Sequence, residues 1–170
     1  MNNHTKISDK QYKFIVDDIL SNEEFEKMSE ITHHGLDRKS HSIRVSYYSY
    51  KISKALGLDY KSTARAGLLH DFFFENNQDS NVNTRVKTLL NHPKYALENA
   101  NSLFELNEKE KDIIVTHMFP IAPKPSKYME GWIVNLVDDA VAVGEICYKT
   151  RNKLAYAVNF MLILMFTYFK

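Results

Sequence analysis

Residues 41–71 read HSIRVSYYSYKISKALGLDYKSTARAGLLHD, and they hold the clearest helix signals in the chain. They predict a helix over about 39–56, because Gly57 then stands where a helix C-terminus often takes a left-handed residue. Asp59 is a favourable N-cap for a second helix, over about 60–73. The segment is therefore predicted to be two helices joined by a short turn.

Helix signals continue through the rest of the chain. Capping patterns open further helices at Ser8, Ser21 and Asn107, and Pro93 suits the first position of another, with His92 as its cap. The predicted helices outside 39–73 span about 9–20, 22–31, 85–91, 93 onward, 107–117, 129–149 and 153–169. Loops are predicted at 32–35, 75–83 and 119–128. No segment alternates with the period of a strand, so the predicted fold class is all-α, in a single domain.

The chain has 170 residues and no linker-like segment. We expect an N-terminal helical segment at 1–33, the main helical domain at 34–150 and an apolar C-terminal helix at 151–170 packed on the same domain. Leu154–Phe169 is nearly all apolar but shorter than the roughly 20 residues of a membrane span. We therefore expect no span and a helix docked on the core or on a second subunit, with a short tail anchor as the alternative.

Composition excludes several classes of function. Lys plus Arg is 22 and Asp plus Glu is 21, and the net charge of +1 argues against nucleic-acid binding. The 5 glycines are scattered, so the glycine-rich loops that cradle phosphates are absent. Cys147 is the only cysteine, which excludes an internal disulfide and a thiolate zinc site. This buried-looking cysteine and the lack of a recognisable signal peptide favour the cytoplasm.

Histidines and acids on apolar helix faces indicate a metal site. His70 and Asp71 stand between Leu69 and Phe72, where a buried carboxylate needs a partner and a metal ion is the strongest available. Imidazole and carboxylate together, without thiolate, suit Fe, Mn, Zn, Co or Ni. The candidates are His41, His70, Asp71, His92, His117 and one of the neighbours Asp138 and Asp139.

Each candidate taken alone has a simpler interpretation. A single histidine on an apolar face is usually a hydrogen-bonded core residue, and an ion pair with Arg44 or Arg65 would satisfy Asp138. Helical periodicity does not separate Asp138 from Asp139. The predicted core stripe of this helix is Ile133, Leu136, Val137, Ala140, Gly144 and Cys147.

The segment 41–71 resembles the opening half of the HD-domain metal phosphohydrolase superfamily. Its pattern is a histidine on one helix, a His-Asp pair ending a later helix and an aspartate on a helix further on. His41, His70, Asp71 and Asp138 match that order.

The resemblance extends over about 34–150 and implies a single-domain HD helical bundle. LVDDAV at 136–141 is similar to the family's final helix, in which the ligand follows the Leu-Val pair. The resemblance therefore implies Asp138 and not Asp139 as the ligand.

The binuclear subset of the family has two more histidines between the His-Asp pair and the last aspartate, and His92 and His117 fall in that order. The layout is similar to bacterial HD hydrolases that split diadenosine tetraphosphate symmetrically, and to Firmicutes HD proteins of unassigned activity. The implied ligands are His41, His70, Asp71 and Asp138 for one divalent metal, and Asp71, His92 and His117 for a second. The implied activity is hydrolysis of a nucleotide or another small phosphate ester or anhydride by a water that bridges the metals. Asp71 and Asp138 are the implied catalytic carboxylates.

Without glycine loops, contacts to a phosphate must come from side chains. The candidates are Arg38, Arg44, Arg65 and Lys94. Phe72–Phe74 stands where mononuclear HD nucleotidases place an acid, and the lysine and Gly-Tyr-Pro signature of cyclic-dinucleotide phosphodiesterases is missing. Both of those substrate classes are less expected. The aromatic triplet suggests a wall for stacking a base, with core packing as the commoner alternative.

Two other functions stay open. Some HD proteins use the same six ligands in a di-iron oxygenase, and the ligand set does not separate the two chemistries. The second alternative is a metal-containing sensing module without turnover. A homodimer is also left open.

Overall fold

The structure is a computed structural model and describes residues 7–30, 32–33, 36–74 and 82–168. Its elements, in chain order, are α1 (Lys10–Leu20), α2 (Glu23–Glu26), a 3₁₀ helix (Lys27–Glu30), β1 (Thr32–His33), β2 (Leu36–Asp37), α3 (Arg38–Ala55), α4 (Tyr60–Leu69), α5 (Val82–Leu103), α6 (Glu108–Thr116) and α7 (Met129–Tyr168). Helices dominate the described part of the chain, which confirms the all-α prediction.

A short hairpin replaces part of a predicted loop. β1 and β2 pair antiparallel over two residues each. The predicted loop over 32–35 thus begins as a strand, and residues 34–35 lie outside the described residues. Asp37 ends the hairpin and caps α3, because its side chain accepts a hydrogen bond from the backbone N–H of Ser40 at 2.7 Å. The hairpin therefore fixes the start of the helix that carries His41.

Three predicted helix ends are confirmed. Gly57 follows α3 with a φ of 68°, the left-handed conformation that a non-glycine residue rarely adopts. Asp59 caps α4 by accepting a hydrogen bond from the N–H of Ser62 at 3.1 Å. Asn107 and Glu110 form a reciprocal capping box at the start of α6.

The first two helices begin slightly later than predicted. Asp9, not Ser8, caps α1, and its side chain accepts hydrogen bonds from two backbone N–H groups. Asn22, not Ser21, caps α2, which lasts four residues before the 3₁₀ helix takes over. In both places an aspartate or asparagine directly follows the serine, and such residues rank at least as high as serine in N-caps.

The fifth helix runs through Pro93, where the sequence predicted a helix start. Its 22 residues are continuous, so His92 lies inside the helix and is not a cap. A proline removes one hydrogen bond from the helix ladder. The helix continues because Ala96, Leu97 and Ala100 pack against the core on the next turns. Of the predicted loop over 75–83, residues 75–81 lie outside the described residues.

The last helix is a single helix of 40 residues, where two were predicted. Its buried face carries Val134 and Val137, with Val141 partly buried beside them. The predicted core stripe is confirmed for Val137, which is buried, and for Ile133, which packs against the core. It is wrong for Leu136, which is 64% exposed, and for Ala140, Gly144 and Cys147, which are exposed as well. Spacing alone identifies an apolar stripe but not which side of the helix meets the bundle.

The C-terminal part of α7 includes the apolar segment 154–168. Its helical backbone is described, but its side chains lie outside the described residues, so its predicted docking stays a prediction. Nowhere in the described parts does a helix combine the length and the apolar character that a membrane crossing needs.

The fourth helix lies at the centre of the bundle, against α3, α6 and α7. Gly67 allows α3 to approach closely, because a Cβ at this position would lie 3.1 Å from the Cα of Ser46. The helix ends at Leu69, earlier than the predicted residue 73, and His70 is its C-cap. The chain therefore turns at His70 and Asp71, and both side chains are buried inside the bundle.

Candidate metal centre

Six side chains from five helices or helix ends converge at the centre of the bundle. They are His41 from α3, His70 and Asp71 from the end of α4, His92 from α5, His117 from the end of α6 and Asp138 from α7. All but Asp138 are buried. The structure thus brings together all six residues that the sequence singled out as metal ligands.

His41, His70 and Asp138 form what we call the acidic half of this cluster. The Nε2 atom of His41 lies 2.9 Å from Oδ1 of Asp138, and the Nε2 atom of His70 lies 3.6 Å from the same oxygen. Asp139, the neighbour that the helical period did not exclude, is exposed. The geometry therefore puts Asp138 and not Asp139 in the cluster.

His92 and His117 form what we call the histidine half. Their Nε2 atoms are 2.9 Å apart. They approach Oδ1 of Asp71 at 3.2 and 3.7 Å respectively. The other oxygen of this carboxylate, Oδ2, lies 3.8 Å from the Nε2 atom of His70. Asp71 thus stands between the two halves with one oxygen toward each.

Two histidines are oriented by the ends of their own helices. Nδ1 of His70 donates to the carbonyl of Gly67 at 2.9 Å, and Nδ1 of His117 donates to the carbonyl of Ile114 at 2.8 Å. The last carbonyls of a helix have no partner within the helix, so each imidazole satisfies one of them. The neutral form of each imidazole then carries its proton on Nδ1, which leaves Nε2 as the nitrogen that can bind a metal.

The donors in the cluster fit divalent metal ions. Nε2 of His70 is buried and has no hydrogen-bond partner among the described residues, which is costly for an imidazole that no metal binds. Three groups of side chains bring their ligand atoms within 4.8 Å of one another. The groups are His41 with His70 and Asp71, His70 with His117 and Asp138, and Asp71 with His92 and His117. Nitrogen and carboxylate donors without sulfur suit Fe, Mn, Co, Ni or Zn.

A comparison with protein families identifies the fold. The sequence-family model of the HD domain matches residues 38–142, more than half of the chain. The chain belongs to the HD-domain family. This family consists mostly of metal-dependent phosphohydrolases, so membership suggests a metal-dependent hydrolase. No curated protein and no solved structure matches the chain.

The acidic half and the histidine half of the cluster differ in the pKa values of their histidines. Burial opposes a charge on His41, but hydrogen bonds to Asp138 and Glu145 outweigh it and raise the pKa of His41 to about 10. Burial and the nearby charge of His70 lower the pKa of His117 to about 4. The acidic half therefore holds a proton at neutral pH, whereas His117 is neutral.

The two carboxylates of the HD centre stay ionised. Burial would raise the pKa of Asp71, but the charge of His70 and a hydrogen bond from His92 hold it well below its ordinary value. The pKa of Asp138 is also far below its ordinary value, because the charge of His70 and a hydrogen bond from His41 outweigh burial. Both residues therefore offer charged oxygens to a cation.

The Phe72–Phe74 triplet serves the core more than a substrate pocket. Phe72 and Phe73 are buried, while Phe74 is 42% exposed. The ring of Phe73 stacks on His92, with centroids 4.9 Å apart and an interplanar angle of 29°. Cζ of Arg38 lies 4.0 Å from the Phe73 ring centroid. Phe73 thus packs the histidine half, and core packing, the simpler interpretation, describes it better than a base-stacking wall.

The four predicted anion-binding cations have different surroundings. Arg38 is buried and donates to the carbonyl of Phe73 at 2.6 Å. Arg65 makes ion pairs with Asp18 at 2.6 Å and Glu110 at 3.2 Å, and neither residue belongs to the cluster. These contacts do not favour Arg38 or Arg65 as direct contacts of a substrate.

The remaining two cations, Lys94 and Arg44, lie on α5 and α3. Lys94 is exposed two residues after the buried His92. Residues two apart on a helix do not face the same side, so Lys94 points away from the cluster. Arg44 is half-buried and donates to Oε1 of Glu145 at 2.9 Å. Arg44 is thus connected to the cluster, because its partner Glu145 also contacts His41.

Sequence reasoning missed two residues that border the site. Glu145 is buried and its Oε2 lies 3.2 Å from Nδ1 of His41. Asn135 donates to the backbone carbonyls of His117 and Phe119, which ties the segment after α6 to α7. Helical spacing could have identified both, because Asn135 precedes Asp138 by three residues and Glu145 follows it by seven, so both share its helix face.

Proposed function

We propose that this HD domain is a metal-dependent phosphohydrolase that acts on a nucleotide or another small phosphate ester or anhydride. The observation that carries the proposal is the position of Asp71. Its Oδ2 faces His70 in the acidic half and its Oδ1 faces His92 and His117 in the histidine half. A carboxylate with one oxygen toward each of two imidazole sets is suited to link two cations.

The proposed cofactors are two divalent metal ions. Their ligands would be His41, His70, Asp71 and Asp138 for one ion, and Asp71, His92 and His117 for the other. When bound, such a pair activates water as a nucleophile and neutralises the charge of phosphoryl oxygens in an in-line displacement. The family match supports metal binding, and the arrangement of donors on both sides of Asp71 supports two ions and not one.

The chain's own residues have three roles in this proposal. Asp71 holds the two halves together and supplies negative charge to both. Asp138 has the more exposed carboxylate, at 18% against 8% for Asp71, so we assign it to receive the proton of the attacking water. Arg44, 21% exposed at the edge of the acidic half, is the candidate contact for a phosphate oxygen.

Metal analysis and an anaerobic assay test this proposal. Protein purified without chelator should contain close to two equivalents of transition metal. Reloaded with Mn²⁺ and assayed without oxygen, it should release phosphate or a nucleotide from a panel of nucleoside polyphosphates, because hydrolysis needs only Lewis acidity and water. Chelator-treated enzyme should be inactive on the same panel.

The alternatives give distinct results in that assay. Consumption of a substrate only with iron and dioxygen would replace the hydrolase with a di-iron oxygenase. Stoichiometric metal binding with no turnover under either condition would favour a sensing module. Protein without bound metal would contradict both the proposal and these alternatives.

A further inference from the structure

Glu145 lies behind the acidic half, outside the segment that the family model matches. It follows Asp138 by seven residues on α7, two turns along the same helix face. The family match ends at residue 142. The side chain is only 2% exposed, and each of its oxygens has a partner: Oε2 faces Nδ1 of His41 at 3.2 Å, and Oε1 accepts from Arg44 at 2.9 Å.

The position of His41 in its helix explains why a carboxylate is needed there. His70 and His117 end their helices and donate Nδ1–H to free carbonyls one turn back. His41 lies in the first turn of α3, where the carbonyls are used by the helix ladder and only N–H groups are free. Its Nδ1–H therefore requires an acceptor from another element, and Glu145 of α7 supplies it.

We infer that Glu145 is a positioning residue that sets the metal affinity of the acidic half through His41. The inference rests on the proposed function, because it assumes that His41 is a ligand. Glu145 accepts the proton on Nδ1, so that Nε2, which faces Asp138 at 2.9 Å, is the nitrogen that binds a metal once its own proton is displaced. A carboxylate acceptor also makes an imidazole a stronger ligand than a neutral acceptor does.

Arg44 makes this arrangement possible inside the bundle. A buried carboxylate without a compensating charge is costly, and the guanidinium of Arg44 supplies that charge. The three residues thus form a chain from the half-buried Arg44 through Glu145 to His41. The histidine half has no such carboxylate among the described contacts of His117, whose Nδ1 donates to a backbone carbonyl.

The test compares Glu145→Gln with a matched control, Glu110→Gln. Glu110 is also buried and also paired with an arginine, but its partner Arg65 lies outside the cluster, and glutamine preserves its capping role. Each full-length protein is stripped with chelator and titrated with Co²⁺. Visible absorption reports the ligand field, and competition with a chelator reports the two affinities.

We expect Glu145→Gln to weaken one of two cobalt sites about tenfold and to change its absorption spectrum, while Glu110→Gln matches the wild type. Glu145→Ala, which removes the acceptor altogether, should weaken the same site toward a hundredfold. Circular dichroism and thermal melts check that each variant is folded. Glu145→Gln is nearly isosteric, so it carries the test if the alanine variant does not fold.

The cobalt titration distinguishes failure of the inference about Glu145 from failure of the proposed function. If the wild type binds two cobalt ions and Glu145→Gln binds them with unchanged affinity and spectrum, the role of Glu145 is overturned and the proposed function stands. If the wild type itself binds no cobalt, the proposed function is overturned, and the inference about Glu145 with it.

Discussion

Histidine has opposite pKa shifts in the two halves of the cluster. In the acidic half, His41 lies between two carboxylates, and its pKa is raised to about 10. In the histidine half, His117 lies among other imidazoles in a buried site, and its pKa is lowered to about 4. A cation entering the acidic half must displace protons, whereas His117 already offers a neutral imidazole. On the proposed binuclear assignment, we therefore expect the two halves to differ in metal affinity and in the response of that affinity to pH.

The largest effect is expected from the residue that both halves share. Asp71→Ala should abolish binding of both metals and lower activity at least about a thousandfold, because bound metals lower the activation barrier by several kcal/mol. Elemental analysis and phosphate release measure the two quantities. His70→Ala should abolish activity as well, because it removes a ligand of the acidic half and the imidazole that Oδ2 of Asp71 faces.

The control for this variant is Asp139→Asn, which changes an exposed acid next to the cluster. It should keep both metals and full activity. A folded Asp71→Ala protein that still binds one metal with native affinity would show that the halves do not depend on a shared carboxylate.

The second expected effect separates the halves. His117→Ala should release one metal and leave the other, because His41, His70 and Asp138 are untouched. His92→Ala should give the same result, since the two Nε2 atoms face the same oxygen of Asp71. Titration with Co²⁺ followed by elemental analysis counts the ions. Equal loss of both metals in either variant would contradict the division into halves.

The third prediction concerns pH in protein stripped of metal. His117 has a pKa of about 4 when folded and about 6.5 when unfolded, so the unfolded chain binds more protons between these values. His117 therefore costs stability as the pH falls through this window, by about 2 kcal/mol between pH 7 and pH 5. His117→Gln should lose correspondingly less stability than wild type, as denaturant unfolding at the two pH values measures.

The acidic half should respond with the opposite sign. His41 faces Asp138, Glu145 and Asp71, and its raised pKa stabilises the stripped protein fully below pH 6.5. That contribution is lost as the pH rises through about 10. His41→Gln should therefore flatten the stability profile on the alkaline side, and a parallel response of the two variants would contradict the comparison.

The smallest expected effect tests the packing behind the histidine half. Phe73→Leu removes a ring stacked on His92 and covered by Arg38, and should lower the free energy of unfolding by about 1–2 kcal/mol. It should also weaken metal binding in the histidine half a few-fold, because His92 loses its support. Unfolding and cobalt titration measure the two effects.

Phe72→Leu is the matched control, since Phe72 is equally buried but packs on Phe25, Phe74 and Phe104. It should lose similar stability without changing either metal affinity. Weakened cobalt binding in both phenylalanine variants would indicate a general loss of packing instead of support for His92.

Local signals explain which parts of the fold could be predicted. Gly57, Asp59 and the capping box at Asn107 act within a few residues of the chain, so their roles were readable directly. Pro93 misled because a proline marks a helix start only when packing does not support a continuous helix. Competing caps at Ser8 and Asp9 differ by tenths of a kcal/mol, which a pattern does not resolve.

The helical class and five side chains of the cluster were predictable from the residues, and the family pattern separated the sixth, Asp138, from Asp139. The residues were recognisable because burying a histidine or an acid in apolar helical surroundings costs free energy unless the side chain has a partner. Their order along the chain also matched a family pattern. Three facts required the three-dimensional arrangement: which face of α7 is buried, that Asp71 has one oxygen toward each half, and that Glu145 faces His41. Those facts depend on distances between helices far apart in sequence, which helical spacing within one segment does not encode.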